Sequence, residues 1–269
     1  MSGEIHIPPL APEVLFNIGS INITNTMINA WIAILIFLVL GIFVKRAIHM
    51  RPGKLQNACE FVLDSLLGYF DQVTGDRKKT LRFLPVVGSI FFFILLSNWL
   101  GLLPGTGSIF VGHNMLLRPA NTDLNLTLSM ALVAVISSHV YAFVTIGIFT
   151  HLGKFVQIAN IINSFKKFKE GIGAGVISVF TALIEFVVGL IEIVSEIAKV
   201  VSLSLRLFGN ILAGEVLITV ISALVVALVP TPFMLLELLV GLIQAAVFSM
   251  LTIVYLTVAT SAPHGAEEH

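Results

Sequence analysis

The sequence predicts an all-α integral membrane protein, with about five membrane helices and one interfacial amphipathic helix. Three observations predict it. Across 269 residues, 57% are hydrophobic and only 11% charged, with a mean hydropathy of +1.01, whereas a soluble domain carries about 25% charged residues. Apolar stretches long enough to cross a bilayer, about 20 residues each, recur along the whole chain. Most of the 15 Lys and Arg lie in segments that one topology places on a single side. The chain reads as one membrane domain, 1–269, without internal repeats.

Residues 1–26 hold no Lys or Arg, so they lack the positive start of a secretory signal peptide and read as an external N-terminal segment. The first span is 27–48. Residues 54–73, "KLQNACEFVLDSLLGYFDQV", differ in character. Leu55, Ala58, Val62, Leu66, Phe70 and Val73 recur at helical spacing, while Gln56, Asn57, Glu60, Asp64 and Asp71 take the other faces. That pattern belongs to a helix lying at an interface; a small soluble hairpin is the alternative. Further spans follow at 83–103 and 124–150. Trp31 and Trp99 lie near span ends, as interfacial aromatics do.

Orientation follows from the cations. Lys45, Arg46, Arg51 and Lys54 follow the first span, Arg77, Lys78, Lys79 and Arg82 precede the second, and Lys154, Lys166, Lys167 and Lys169 follow the third. The positive-inside rule puts these in the cytoplasm and the N-terminus outside. The opposite loop, 104–123, carries Arg118 alone. The stretch 172–229 has no proline. As one helix its 58 residues would run about 87 Å, against about 30 Å of hydrocarbon. Either a tight turn makes two spans of it or one helix lies steeply tilted. "PTP" at 230–232 reads as a breaker ahead of a last helix at 233–260. The lone Cys59 excludes an internal disulfide and any cysteine-based metal site.

Two cations, Lys199 and Arg206, fall inside the long hydrophobic stretch. Glu185, Glu192, Lys199 and Arg206 are each seven residues apart and share one helix face, with Ser202 and Asn210 flanking it. Glu196 lies three residues before Lys199 and can pair with it. Glu215, nine residues past Arg206, lies on the opposite side and cannot neutralise it along the same helix. The last helix adds Glu237 and Gln244, again seven apart. Ionisable groups in spans mark ion paths; internal pairing that locks helices is the plainer alternative. An arginine keeps its proton at any relevant pH, so Arg206 acts as a fixed charge. At 4 Å and an effective dielectric near 20 it would stabilise a carboxylate by about 4 kcal/mol, or about three pKa units.

"SLSLRLFGNILAGE", "LIQAAVFSMLTIVYL", "TDLNLTLSMAL" and "SNWLGLLPG" together resemble subunit a of F-type ATP synthases, bacterial type, over nearly the whole chain. The resemblance implies that 172–229 and 233–260 form a long, steeply inclined hairpin against a ring of c subunits, with the C-terminus in the cytoplasm. It implies a non-catalytic stator subunit of the bacterial plasma membrane. Two offset proton half-channels would meet c-subunit carboxylates on either side of Arg206. Asn210, Glu215, Glu237 and Gln244 match the outer path, with Asp123 nearer its mouth and Ser202 as a further candidate. Glu192, Ser195 and Lys199 match the inner path. Some relatives carry histidine where this chain has Glu237. The implied partners are the c-ring, subunit b of the peripheral stalk, other ATP synthase subunits, lipid, and protons or Na⁺; no cofactor, metal or nucleic acid is implied. No Gly-rich phosphate loop is present. His139 and His151 read as packed or interfacial histidines, and His113 belongs to the outer loop. The rival readings are a secondary transporter, which would bring an internal repeat and broken helices, and a purely structural membrane subunit.

Overall fold

The computed structural model describes residues 9, 11–48, 53–103, 110–111, 114–148, 150–151, 172–224 and 230–261. His113, Lys154, Lys166, Lys167 and Lys169 therefore lie outside the described residues. The first element is a feature that the sequence reading did not resolve within 1–26. Strands β1 (Val14–Ile18) and β2 (Ile21–Thr24) form an antiparallel hairpin, with Ile18 opposite Ile21 and a bulge between Val14 and Phe16. Gly19 takes the left-handed conformation (φ 64°) that the two-residue turn requires.

Helix α1 (Asn25–Ala47) starts where Thr24 leaves the hairpin. The Thr24 hydroxyl accepts the Met27 N–H at 3.4 Å, satisfying one of the four free donors of a helix start. Its first turns bury polar residues, Asn25, Thr26 and Asn29, while Leu35, Leu38, Ile42 and Phe43 further along are exposed. Apolar side chains standing outward along a self-satisfied helix are what a bilayer demands.

Helix α2 (Lys54–Thr74) and helix α3 (Arg77–Gly101) meet at a tight corner. Gly75, at φ 66°, donates its N–H to the Asp71 carbonyl, and the Asp76 carboxylate accepts the Lys78 N–H at 2.9 Å. The Thr74 and Thr80 hydroxyls sit 2.6 Å apart, and Arg77 Nη1 donates to Asp71 at 2.7 Å. A hydrogen bond from Thr80, then Arg77, holds the Asp71 carboxyl below the usual carboxylate range. The cap at Asp76 corrects the expected start at 83: the basic run Arg77–Arg82 is already helical. The amphipathic reading of α2 holds in its second half, where Leu66, Leu67 and Phe70 are buried; Phe61 and Val62 stay exposed, and so does Ala58. Helix α3 buries Thr80, Phe83, Val87, Ile90, Phe91, Ile94, Leu95 and Asn98, a stripe at the 3–4 residue spacing of a packed helix.

Short strands β3 (Phe110–Val111) and β4 (Asn114–Met115) and a 3-10 turn, Ala120–Thr122, lead into helix α4 (Leu124–Ile146). It ends four residues before the expected 150, because Gly147 at φ 94° closes it with an N–H bond to the Phe143 carbonyl. Helix α5 (Ile172–Leu224) is unbroken over 53 residues, so no tight turn divides it into two spans. Helix α6 (Pro230–Thr260) begins at the first proline. Pro230 and Pro232 form its first turn instead of preceding it, since a missing N–H costs nothing there.

Among the described residues five helices, α1, α3, α4, α5 and α6, are long and apolar enough to cross a membrane, and the chain is an all-α multi-pass membrane protein. The described chain groups into two compact units. Unit 1 comprises the residues up to Ala134 together with Leu203–Val254; unit 2 comprises Val135–Ser202 and the residues from Tyr255.

Candidate functional site

In unit 1 the described residues of the loop before α4 supply a polar platform. Asn98 of α3 donates to the Gly241 carbonyl of α6 at 3.1 Å, and its own carbonyl accepts from Asn121 at 2.6 Å. A Cβ on Gly241 would meet Asn98 at 3.0 Å, and one on Gly101 would meet Pro119 at 2.7 Å; close backbone approach explains both glycines. Asn29 donates to the Arg118 carbonyl at 2.8 Å and Asn25 to that of Met115 at 3.3 Å. Asp123, 7% exposed, accepts from the Thr26 hydroxyl at 3.1 Å and from the Asn125 N–H at 2.9 Å. It therefore caps α4 and ties it to α1.

Arg118 projects from this platform onto α5. Its Nε lies 3.1 and 3.2 Å from the two Glu215 carboxylate oxygens, and Nη2 donates to Oε2 at 3.1 Å. A further bond runs from Nη1 to the Ala11 carbonyl at 3.3 Å. Arg118 is 2% exposed and Glu215 14%. Removing one member of such a buried pair costs about 3–5 kcal/mol, because the other charge is stranded. The sequence reading gave Arg118 no role and Glu215 no partner. The two are 97 residues apart, beyond any helical spacing rule.

The α5 and α6 segments of unit 1 join through polar groups at the expected positions. Asn210 Nδ2 donates to Gln244 Oε1 at 2.8 Å. Gln244 Nε2 and Glu237 Oε1 are buried without a hydrogen-bond partner among the described residues. The Glu237 carboxyl lies where a Cβ on Gly214 would be, so only glycine leaves room for it at that position. Ser204 of α5 sits 3.1 Å from the Thr127 hydroxyl of α4, a contact that the sequence did not single out. Arg206 is half-buried, one turn before Asn210 and between the fully buried Leu203 and Leu207.

Unit 2 holds a second cluster. Lys199 Nζ is 2.6 Å from Glu196 Oε1, the pairing expected from their three-residue spacing, and stands 5.2 Å over the Tyr255 ring, within cation–π range. The other Glu196 oxygen is 3.6 Å from His139 Nε2. His139 Nδ1 and His151 Nε2 are 3.0 Å apart, with His151 packed edge-on to Phe143. Both histidines are packed, as expected, but they also extend a titratable chain that spacing alone did not suggest. Ser195 donates to the Ile191 carbonyl of its own helix at 2.8 Å. Glu192 is half-buried and Ser202 exposed. Among the described residues no group of three His, Cys, Asp or Glu could hold a metal ion.

The family model of the ATP synthase A chain matches residues 27–257. ATP synthase subunit a of Moorella thermoacetica is 32% identical over 91% of this chain and 94% of its own length. That of Gloeobacter violaceus is 34% identical over 86% and 81%. ATP synthase subunit a 2 of a Bradyrhizobium species is 28% identical over 93% and 95%.

Proposed function

The chain belongs to the ATP synthase A chain family, and from that premise we propose that it is the stator subunit of an F-type ATP synthase, carrying two offset proton half-channels separated by Arg206. The observation that carries the reading is the polar gathering on the α5–α6 pair of unit 1. Asn210, Gln244, Glu215 and the Glu237–Gly214 contact all fall within about three helical turns of Arg206. Polar groups within membrane-spanning helices are costly in lipid and mark an ion path.

The mechanism follows from charge and solvation. A ring carboxylate travelling through lipid is neutral, because burial disfavours its charged form. Beside Arg206 it ionises and releases its proton. It cannot return to lipid charged, so rotation proceeds only after a proton arrives by the other half-channel. Asp123, Glu215, Glu237, Asn210 and Gln244 form the outer path, with Ser202 a weaker candidate in view of its exposure. Glu192, Ser195 and Lys199 form the inner path, and the Glu196–Lys199 pair keeps that cation compensated. A transmembrane potential supplies about 2.3 kcal/mol per charge per 100 mV.

In this reading the partners are a c-ring and the subunit b stalk, and the home is a bacterial plasma membrane. The N-terminus lies outside and the C-terminus in the cytoplasm. An unbroken α5 of 53 residues is about 80 Å long, which supports a steep inclination of the α5–α6 hairpin across about 30 Å of hydrocarbon. The test is Arg206→Ala in the whole complex. ATP-driven proton pumping is lost while the complex still assembles; normal coupled pumping in that variant would end the proposal.

A further inference from the structure

The best-braced ion pair of unit 1 joins Glu215 to a cation from outside its own helix. Arg118 is fixed independently of α5. Its carbonyl is held by Asn29, its loop by Asn25 and by the Glu13 carboxylate, which accepts the Met115 N–H at 3.3 Å, and its guanidinium by the Ala11 carbonyl. It covers both carboxylate oxygens, yet unevenly: among the described residues Oε2 accepts from Nε and Nη2, Oε1 from Nε alone. One lone pair on Oε1 is therefore left for a proton. Three oxygens accept from the guanidinium among the described residues: two from Glu215 and the Ala11 carbonyl. Without the guanidinium, those hard oxygens are donors of the type that a bare metal cation prefers, with water completing its shell.

We propose that Arg118 is the specificity-determining residue of the outer path: its guanidinium occupies the oxygen site formed by the Glu215 carboxylate and the Ala11 carbonyl and so denies it to alkali metal cations, while protons still reach Glu215. A proton needs a single lone pair. A sodium ion needs several oxygens at once and would have to settle against a permanent positive charge. Arginine suits this task because its planar fork covers a carboxylate on two sides, whereas the compact lysine ammonium covers one. The proposal rests on reading Glu215 as part of the uptake path.

The test compares ATP-driven acidification of vesicles carrying the whole complex in sodium chloride and in choline chloride, both at about 0.15 M so that screening is equal. The wild type pumps equally in both. Arg118→Gln pumps about tenfold more slowly in sodium than in choline, and Arg118→Lys about twofold, in the order of carboxylate coverage. In Arg118→Lys combined with Glu215→Gln the sodium effect disappears. A sodium-to-choline ratio in Arg118→Gln equal to that of the wild type overturns the proposal; where that variant fails to assemble, Arg118→Lys decides in the same way. A wild type that is itself sodium-sensitive also overturns it. Arg206→Ala in the same assay separates the two levels: retained pumping there removes the stator reading, whereas lost pumping with a sodium-insensitive Arg118→Gln removes only the role of Arg118.

Discussion

The two units solve the same problem, charge inside an apolar chain, in different ways. Unit 1 couples groups far apart in sequence. Arg118 meets Glu215, Asn98 meets Gly241, and Asn210 meets Gln244, each bond crossing from one element to another. Unit 2 combines close neighbours, Glu196 with Lys199 and His139 with His151, with one longer link, Glu196 to His139. The difference teaches where rigidity is spent. Unit 1 holds Glu215 against a guanidinium and Asp123 against neutral donors, whereas unit 2 gathers Glu196, Lys199 and His139 into one cluster.

The sharpest way to break this contrast is Gly214→Ala. A Cβ there collides with the Glu237 carboxyl, the far end of a flexible side chain, so the helix pair survives while the carboxyl is displaced. Proton uptake falls by about tenfold or more, as expected when a reacting group is moved by about 1 Å, with little change in thermal stability. A large stability loss with unchanged flux would show that Gly214 serves packing alone. In unit 2, Glu196→Gln removes the charge facing both Lys199 and His139. Its partner Lys199 lies three residues on along the same helix, and such a pair contributes about 0.2–0.5 kcal/mol, so proton release slows only about twofold, measured as ATP-driven pumping against external pH. A collapse as deep as that of Gly214→Ala would erase the distinction between the units.

Asn98→Ala tests the brace itself. It leaves the Gly241 carbonyl and the Asn121 amide without their bonds, at about 1–3 kcal/mol, read as a lower thermal inactivation temperature of the complex. The smallest effect belongs to the α2–α3 corner, away from both clusters. Asp71 is held below its usual pKa by Thr80 and Arg77, so its contribution is present above the unfolded value of about 3.9 and is lost as pH falls through the folded one. Asp71→Asn accordingly changes acid tolerance slightly and pumping at neutral pH not at all.

Much of this was legible in the residues. Composition and span length announced the membrane class, the i,i+3 rule announced Glu196–Lys199, and the seven-residue spacing of Glu237 and Gln244 put both on one helix face. Helix ends were less legible, because they turn on single caps: Asp76 starts α3 early and Gly147 stops α4 early. The hairpin before α1 was hidden in a short segment whose β-branched residues are equally at home in an apolar helix. Arg118–Glu215 was invisible for a different reason. Nothing local distinguishes a loop arginine that faces water from one buried against a helix 97 residues away, and only the fold brings them together. Gly214 likewise looks like any helical glycine until Glu237 is placed beside it.

The role proposed for Arg206 is that of a fixed cation that keeps two aqueous paths from joining. It is tested most directly by passive proton conductance through the membrane sector, freed of its catalytic head and driven by an imposed potential, in wild type and Arg206→Ala. The expected result is that Arg206→Ala conducts protons while the intact complex carrying it no longer couples ATP hydrolysis to pumping. Conductance and coupling that both remain at wild-type levels would contradict it.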